Sequence, residues 1–280
     1  MNARERLLDG TPVTERRTRF AGIPTALLEG GEGPPMVLLH GPGESGAKWF
    51  GVMPDLVRTH RVIAPDLPGH GESAAMDAPA DHVLAWLDEL VQATCDQPPV
   101  LVGQIVGGAI AARYAAAHPE RVGHLVLVDT LGLAPFQPTP EFGAALGAFL
   151  AHPDETTHDD LWRRCAFDLD GLRTRLGERW RFLKAYNLDR AHAPGLGPTQ
   201  ESLMAAFGFP AIAPEQLRAI RTRTSLIWGR HDLATNLQVA EAAAARYGWP
   251  LRVIDAAGDD PAIEQPAAFV AALRAALGSA

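Results

Sequence analysis

The chain predicts an α/β protein built on a mainly parallel sheet, and three observations carry that reading. Short apolar runs recur along the first half, among them Met36-Val37-Leu38-Leu39 and Leu125-Val126-Leu127-Val128. They are continuously apolar, as strands covered on both faces require. Between them lie stretches with apolar residues at helical spacing, such as Val83, Trp86, Leu87, Leu90 and Val91. Strand and helix signals therefore alternate, which is the pattern of βαβ units.

Taken in order, residues 14–29 read as an antiparallel hairpin at the sheet edge, and 36–39 and 62–64 as buried strands. A helix over 82–95, a strand over 100–102, a helix over about 106–117 and a strand over 125–128 continue the series. The rhythm breaks near 132. Residues 134–140 (Ala-Pro-Phe-Gln-Pro-Thr-Pro) form a stiff linker, and helical segments without strands run to about 215. The pattern resumes with strand 226–228, helix 237–247, strand 251–254 and helix 262–277. The expected division is a core of residues 1–131 and 216–280 with a helical cap of residues 132–215. Seven of the ten Phe, Trp162, Trp180 and Tyr186 fall in that middle segment. They serve a small subdomain core, an apolar cavity beneath it, or both.

Composition narrows the partners. A net charge of −8 offers no basic face for nucleic acid or anionic lipid. No run reaches the roughly 20 apolar residues that span a bilayer. Residues 1–6 are charged and lack the apolar stretch of a secretion signal. Cys95 and Cys165 form no spaced framework and read as reduced thiols. The expectation is a cytoplasmic protein with a hydrophobic small-molecule substrate, no nucleic-acid or membrane partner and no cofactor. A homodimer is left open. His152, Asp154, Glu155, His158 and Asp159 are metal-ligand types, but their spacing matches no signature, and no metal is expected.

The most informative stretch is Gly103-Gln104-Ile105-Val106-Gly107-Gly108, between the 100–102 strand and an Ala-rich helix. It has the setting of a G-x-S-x-G elbow, in which a strained turn lifts a nucleophile above the sheet. The raised residue here is Ile105, which has no lone pair with which to attack. Four further loops match in order. They are His40-Gly41-Pro42-Gly43-Glu44-Ser45, Asp66-Leu67-Pro68-Gly69-His70-Gly71-Glu72-Ser73, Gly229-Arg230-His231-Asp232, and Gly258-Asp259-Asp260-Pro261 with Glu264-Gln265-Pro266.

Together these five motifs, over residues 36–270, resemble the α/β-hydrolase superfamily. The likeness is to the capped branch of epoxide hydrolases, dehalogenases and carbon–carbon bond hydrolases. The resemblance implies the α/β-hydrolase fold, with a mainly parallel eight-stranded sheet and a helical cap insertion. It also implies a nucleophile, a histidine and an acid. Carried over by position, the acid is kept as Asp232, the nucleophile is replaced by Ile105, and the histidine by Asp259. The oxyanion loop carries Pro42, which has no N–H, leaving Gly43 and Val106 as backbone donors.

What survives is a carboxylate pair under an apolar roof. Asp232 and Asp259 take the places of two groups that normally touch, so they are expected to share a proton, with one pKa raised. Such a pair suits acid–base chemistry without a covalent intermediate. The expected function is thus a non-hydrolytic enzyme, a cyclase, lyase (dehydratase) or isomerase, acting on a hydrophobic molecule such as a polyketide-type intermediate in natural-product biosynthesis. Asp232 and Asp259 are the catalytic candidates. His40, Gln104, Ile105, Val106, Trp162, Trp180 and Tyr186 are the candidates for substrate contact. Two alternatives remain: a catalytically inactive hydrolase relative that binds a ligand or partner, and a solvated turn at Asp259-Asp260.

Overall fold

The computed structural model describes residues 1–75 and 79–278; the expected core limit at 280 lies outside them. Eight strands form one sheet: β1 Thr14–Phe20, β2 Ile23–Gly30, β3 Pro35–Leu39, β4 Arg61–Pro65, β5 Val100–Gln104, β6 His124–Val128, β7 Arg223–Gly229 and β8 Leu251–Ile254. Their spatial order is β1-β2-β4-β3-β5-β6-β7-β8. The β1–β2 hairpin joins antiparallel to β4, and every pair from β4 to β8 is parallel.

Side chains along each central strand alternate between two buried layers, as a pleat covered on both faces dictates. Leu101, Leu125, Leu127 and Leu226 face one layer, closed by helices Ala80–Thr94, Val106–Ala117 and Leu237–Tyr247. Val102, Val126, Val128 and Ile227 face the other, with Trp49 and Phe269. The helix expected over 262–277 is in fact two, Pro261–Glu264 and Pro266–Leu277, broken at Gln265 (φ −136°, ψ 62°). Pro266 is the cause: it has no N–H to continue the first helix, and its ring pushes the residue before it out of helical geometry.

Parallel register aligns the strand ends. Leu39 pairs with Gly103, Gln104 with Val128, Val128 with Ile227, and Gly229 with Ile254. The loops after β3, β5, β6, β7 and β8 therefore meet along one carboxyl edge, where open parallel sheets place their sites. Between β6 and β7 the described residues are helical, including Pro140–Ala151, Glu155–Cys165 and Glu178–Ala191. Trp162 and Trp180 meet edge to face there, 5.0 Å between ring centres. No helix is long and apolar enough to cross a membrane among the described residues.

One buried charge binds the chain start to this edge. Arg4, on the Ala3–Leu7 helix, is only 3% exposed. It donates to Asp66 (3.1 Å to Oδ2), to the Tyr186 hydroxyl (3.0 Å) and to Glu15 (2.9 Å). Asp66 in turn accepts the Gly46 and Glu72 N–H groups, fixing two motif loops. Removing one member of such a buried pair strands the other's charge away from water. Arg4→Met is expected to cost about 3 kcal/mol, read as a lower urea midpoint with unchanged slope. A midpoint within error of the parent would show that the Arg4–Asp66 pair does not hold these loops.

Candidate functional site

The elbow is present in full geometry. Ile105 has φ 49° and ψ −112°, a conformation that a β-branched residue adopts only under constraint. The constraint is visible. Its N–H donates to Val128 O (3.1 Å), and its carbonyl accepts the Ala109 and Leu131 N–H groups and the Thr130 hydroxyl. Glycine is required beside it: a Cβ on Gly107 would lie 2.5 Å from His40 O, so the helix could not approach β3. Because Val106 and Gly107 open a helix, their N–H groups have no intrahelical acceptor.

Above this turn lies a chamber of about 340 Å³, roofed by the helices between β6 and β7. Its apolar wall includes Phe142, Phe149, Trp162 and Met204, and Ile105 lines its floor. Beside Ile105 stand Glu44, Asp259 and Asp260. Asp259 and Asp260 are 6% and 4% exposed, so the solvated-turn reading of this loop is incorrect. Its backbone is fastened from two sides: Asp259 N–H donates to Cys165 O, and Gly258 N–H donates to Glu264 Oε1 (2.8 Å).

A buried lysine sits behind the floor. Lys48 Nζ lies 2.8 Å from Asp260 Oδ1 and 2.9 Å from Glu44 Oε1, and it donates to Gln104 Oε1. Gln104 Nε2 donates to Asp259 O (2.6 Å) and Asp260 Oδ1 (3.2 Å). Burial alone would lower the Lys48 pKa, but Asp260 and Glu44 outweigh it and hold it above the ordinary value. Burial pushes Glu44 up to about 7 against the pull of Lys48.

Asp232 stands after β7, its Oδ1 accepting the Ala234 and Thr235 N–H groups (2.7 and 2.8 Å). Its Oδ2 is buried without a hydrogen-bond partner, as is Oδ2 of Asp129 after β6. No hydrogen bond joins Asp232 to Asp259 among the described residues, so contact between them is electrostatic. Burial, then Asp232, raises Asp259 well above the carboxylate range, and burial, then Asp232, does the same to Asp129. Burial likewise lifts Asp232 and Glu264 to about 7.

Of the substrate-contact candidates, Ile105 and Trp162 line the chamber, as do Pro42 and Gly43. The others lie off it. His40 is buried, its Nδ1 against Gly41 O and its Nε2 accepting the Leu67 N–H. Gln104 braces the Asp259-Asp260 loop, Val106 is packed in the core, and Trp180 stands behind Trp162. Tyr186 is taken up by Arg4. Sequence reasoning missed Glu44, Lys48, Asp129 and Asp260 as members, and Cys165 as a lining residue. A signal existed for Lys48: it is the one charge in Ala47-Lys48-Trp49-Phe50-Gly51-Val52-Met53, and a lysine in such a run is either paired or excluded.

A family model described as alpha/beta hydrolase fold matches residues 34–266. The chain is 32% identical over 281 residues to 2-hydroxymuconate semialdehyde hydrolase of Pseudomonas sp. (strain CF600), covering 92% of each. It is 30% identical to 2-hydroxy-6-oxo-2,4-heptadienoate hydrolase of Pseudomonas putida, covering 80% of this chain and 82% of that one. Among solved structures, 2-hydroxy-6-oxo-6-phenylhexa-2,4-dienoate hydrolase from Rhodococcus sp. strain RHA1 shares the fold, with TM-score 0.82 at 24% identity over 95% and 99% of the two chains.

These relatives overturn the expected reaction class. They are named hydrolases, so the cyclase, lyase and isomerase readings, and with them the polyketide-type substrate, are corrected to hydrolysis. The step from a missing seryl or aspartyl oxygen to a non-hydrolytic enzyme was the error. Hydrolysis needs water added across a bond, and a base can deliver water without a covalent intermediate.

Two outcomes test this site. A carboxyl whose pKa is higher in the folded than in the unfolded chain holds its proton better when folded. Its stabilisation is full below the unfolded value and is lost as pH climbs through the folded one. Buried His40, His70, His124 and His158 are shifted downward by burial, so their stabilisation is lost only as pH falls below the unfolded value of 6.5. Between pH 6.5 and about 8 the carboxyls therefore act alone, and stability should fall by about 1 kcal/mol for each of them. Asp232→Asn should flatten that slope, and equal slopes in urea titrations of both proteins would refute the assignment. Second, Ile105→Ser with Asp259→His should rebuild a nucleophile and base beside the unpartnered Asp232 oxygen. The double variant should acquire a fluorophosphonate adduct on residue 105 by mass spectrometry, and Ile105→Ser alone should not.

Proposed function

Because the chain belongs to the α/β hydrolase fold family, we propose that it hydrolyses a carbonyl compound with an apolar body, water itself attacking the carbonyl carbon. The observation that carries this reading is the floor of the chamber, where Glu44 and Asp259 stand beside an aliphatic Ile105. Glu44, with its pKa near 7, takes a proton from water as the new C–O bond forms. The carbonyl oxygen becomes an oxyanion facing the N–H group of Gly43, which lines the chamber, since Pro42 beside it offers none. Collapse breaks the bond to the leaving group, which takes the proton that burial keeps on Asp259. An acid and a second product, an alcohol or a carbon acid, leave the site.

Lys48 and Gln104 position this machinery rather than touch the substrate. They tie Glu44 to the 259–260 loop, so base and acid are held on one frame. The relatives' names include a semialdehyde and an oxo-dienoate, both carbonyl compounds, which supports a carbonyl substrate here. Cys95 and Cys165 are both unpaired, in keeping with a reducing cytoplasm. The ligand is a hydrophobic small molecule, for which the aromatic wall is suited.

The test uses 4-nitrophenyl butyrate in water enriched in ¹⁸O. Hydrolysis should place ¹⁸O in the butyrate with no mass adduct on the enzyme during turnover. Glu44→Gln and Asp259→Asn should each lower kcat by about 100-fold. Recovery of the ester unaltered, or unchanged rates in both variants, would overturn the reading.

A further inference from the structure

We propose that this chamber takes a ligand whose buried end is cationic, an alkylammonium group on an apolar chain, and rejects one ending in a carboxylate. The argument is a charge balance on the floor of the site. Glu44, Asp259 and Asp260 line the chamber, and no Lys or Arg lines it among the described residues. The nearest cation, Lys48, has 2% of its side chain exposed and is already paired with both Glu44 and Asp260. Behind that floor, Asp232 and Asp129 each keep a buried oxygen without a hydrogen bond. The cluster is short of positive charge, because its carboxyl groups outnumber the one cation beside them. A bound ammonium would supply the missing charge and donate to the carboxyl groups that line the chamber.

The walls fit the same ligand. Phe142, Phe149 and Trp162 give an apolar lining for the chain of such a molecule, and aromatic faces attract an ammonium headgroup. A carboxylate end would instead be desolvated against three carboxyl groups with no free cation to meet it. The inference rests on this chamber being the ligand site of the preceding section, but not on hydrolysis. It is therefore read by binding alone: a protein that binds the amine yet hydrolyses nothing would end the hydrolytic reading and leave this one standing.

The experiment compares 4-phenylbutylamine, 4-phenylbutanol and 4-phenylbutyrate, which share one apolar body and differ in the charge of the end group. Calorimetry at pH 7.5 should show the amine binding at least about ten-fold more tightly than either other compound. Glu44→Gln should reduce that preference. Leu146→Trp, which fills the chamber from its wall, should abolish amine binding. Four results would overturn the proposal: a carboxylate bound as tightly as the amine, an amine no tighter than the alcohol, no amine binding at millimolar concentration, or amine binding unaffected by Leu146→Trp.

Discussion

The site is governed by one imbalance: six carboxyl groups, five of them buried, gather around one buried lysine that pairs with two of them. Glu44, Asp129, Asp232, Asp259, Asp260 and Glu264 gather at the carboxyl edge of the sheet, and Lys48 is the cation placed among them. Water spreads little of this charge, because five of the six groups are buried. Protons must therefore remain where an exposed carboxylate would release them. The same circumstance is what the proposed base and acid draw on. The chemistry of the site and its sensitivity to pH have one origin.

The elbow shows how far a fold preserves a shape when the group that shape once served is absent. Holding a β-branched residue at positive φ costs on the order of 1–3 kcal/mol. The turn persists because the Ile105 carbonyl is fixed by donors from its own helix and from the 130–131 loop, while its N–H is fixed by β6. None of these bonds involves the side chain. The turn is thus a property of backbone packing, with Gly107 admitting the helix against β3, and it outlasts the chemistry of residue 105.

Much of this was legible in the sequence, and the reasons are physical. Strands buried on both faces are continuously apolar, so β3, β5 and β6 announce themselves, and the loops after them are set by glycines and prolines of fixed spacing. The split at Gln265 was not read from the sequence, although Pro266 stands at it, because the apolar spacing runs on across the break. Ile105, Asp232 and Asp259 were found because each falls at a motif position. Glu44 and Lys48 were not, because a charge next to an apolar run reads as surface until its partner is known. The i,i+4 spacing of Glu44 and Lys48 was the one local trace of the cluster, whereas the second partner of Lys48, Asp260, lies more than two hundred residues away, and no local pattern reports a pairing across that distance. Cys165 was placed in the helical segment but not against the 258–260 loop, for the same reason.

The replacements at 105 and 259 are best understood together. A histidine at 259 would have filled the open oxygen of Asp232 and carried the positive charge that forms beside an attacking side chain. With an aliphatic group at 105 there is no such attack to support, and an aspartate at 259 can bear a proton instead. The Asp259 loop then gains its anchorage from the other side, through Gln104 and, by way of Asp260, Lys48. The positive charge of this site therefore stands behind the floor, on Lys48, and not at residue 259. Any cation needed at the front must arrive with the ligand.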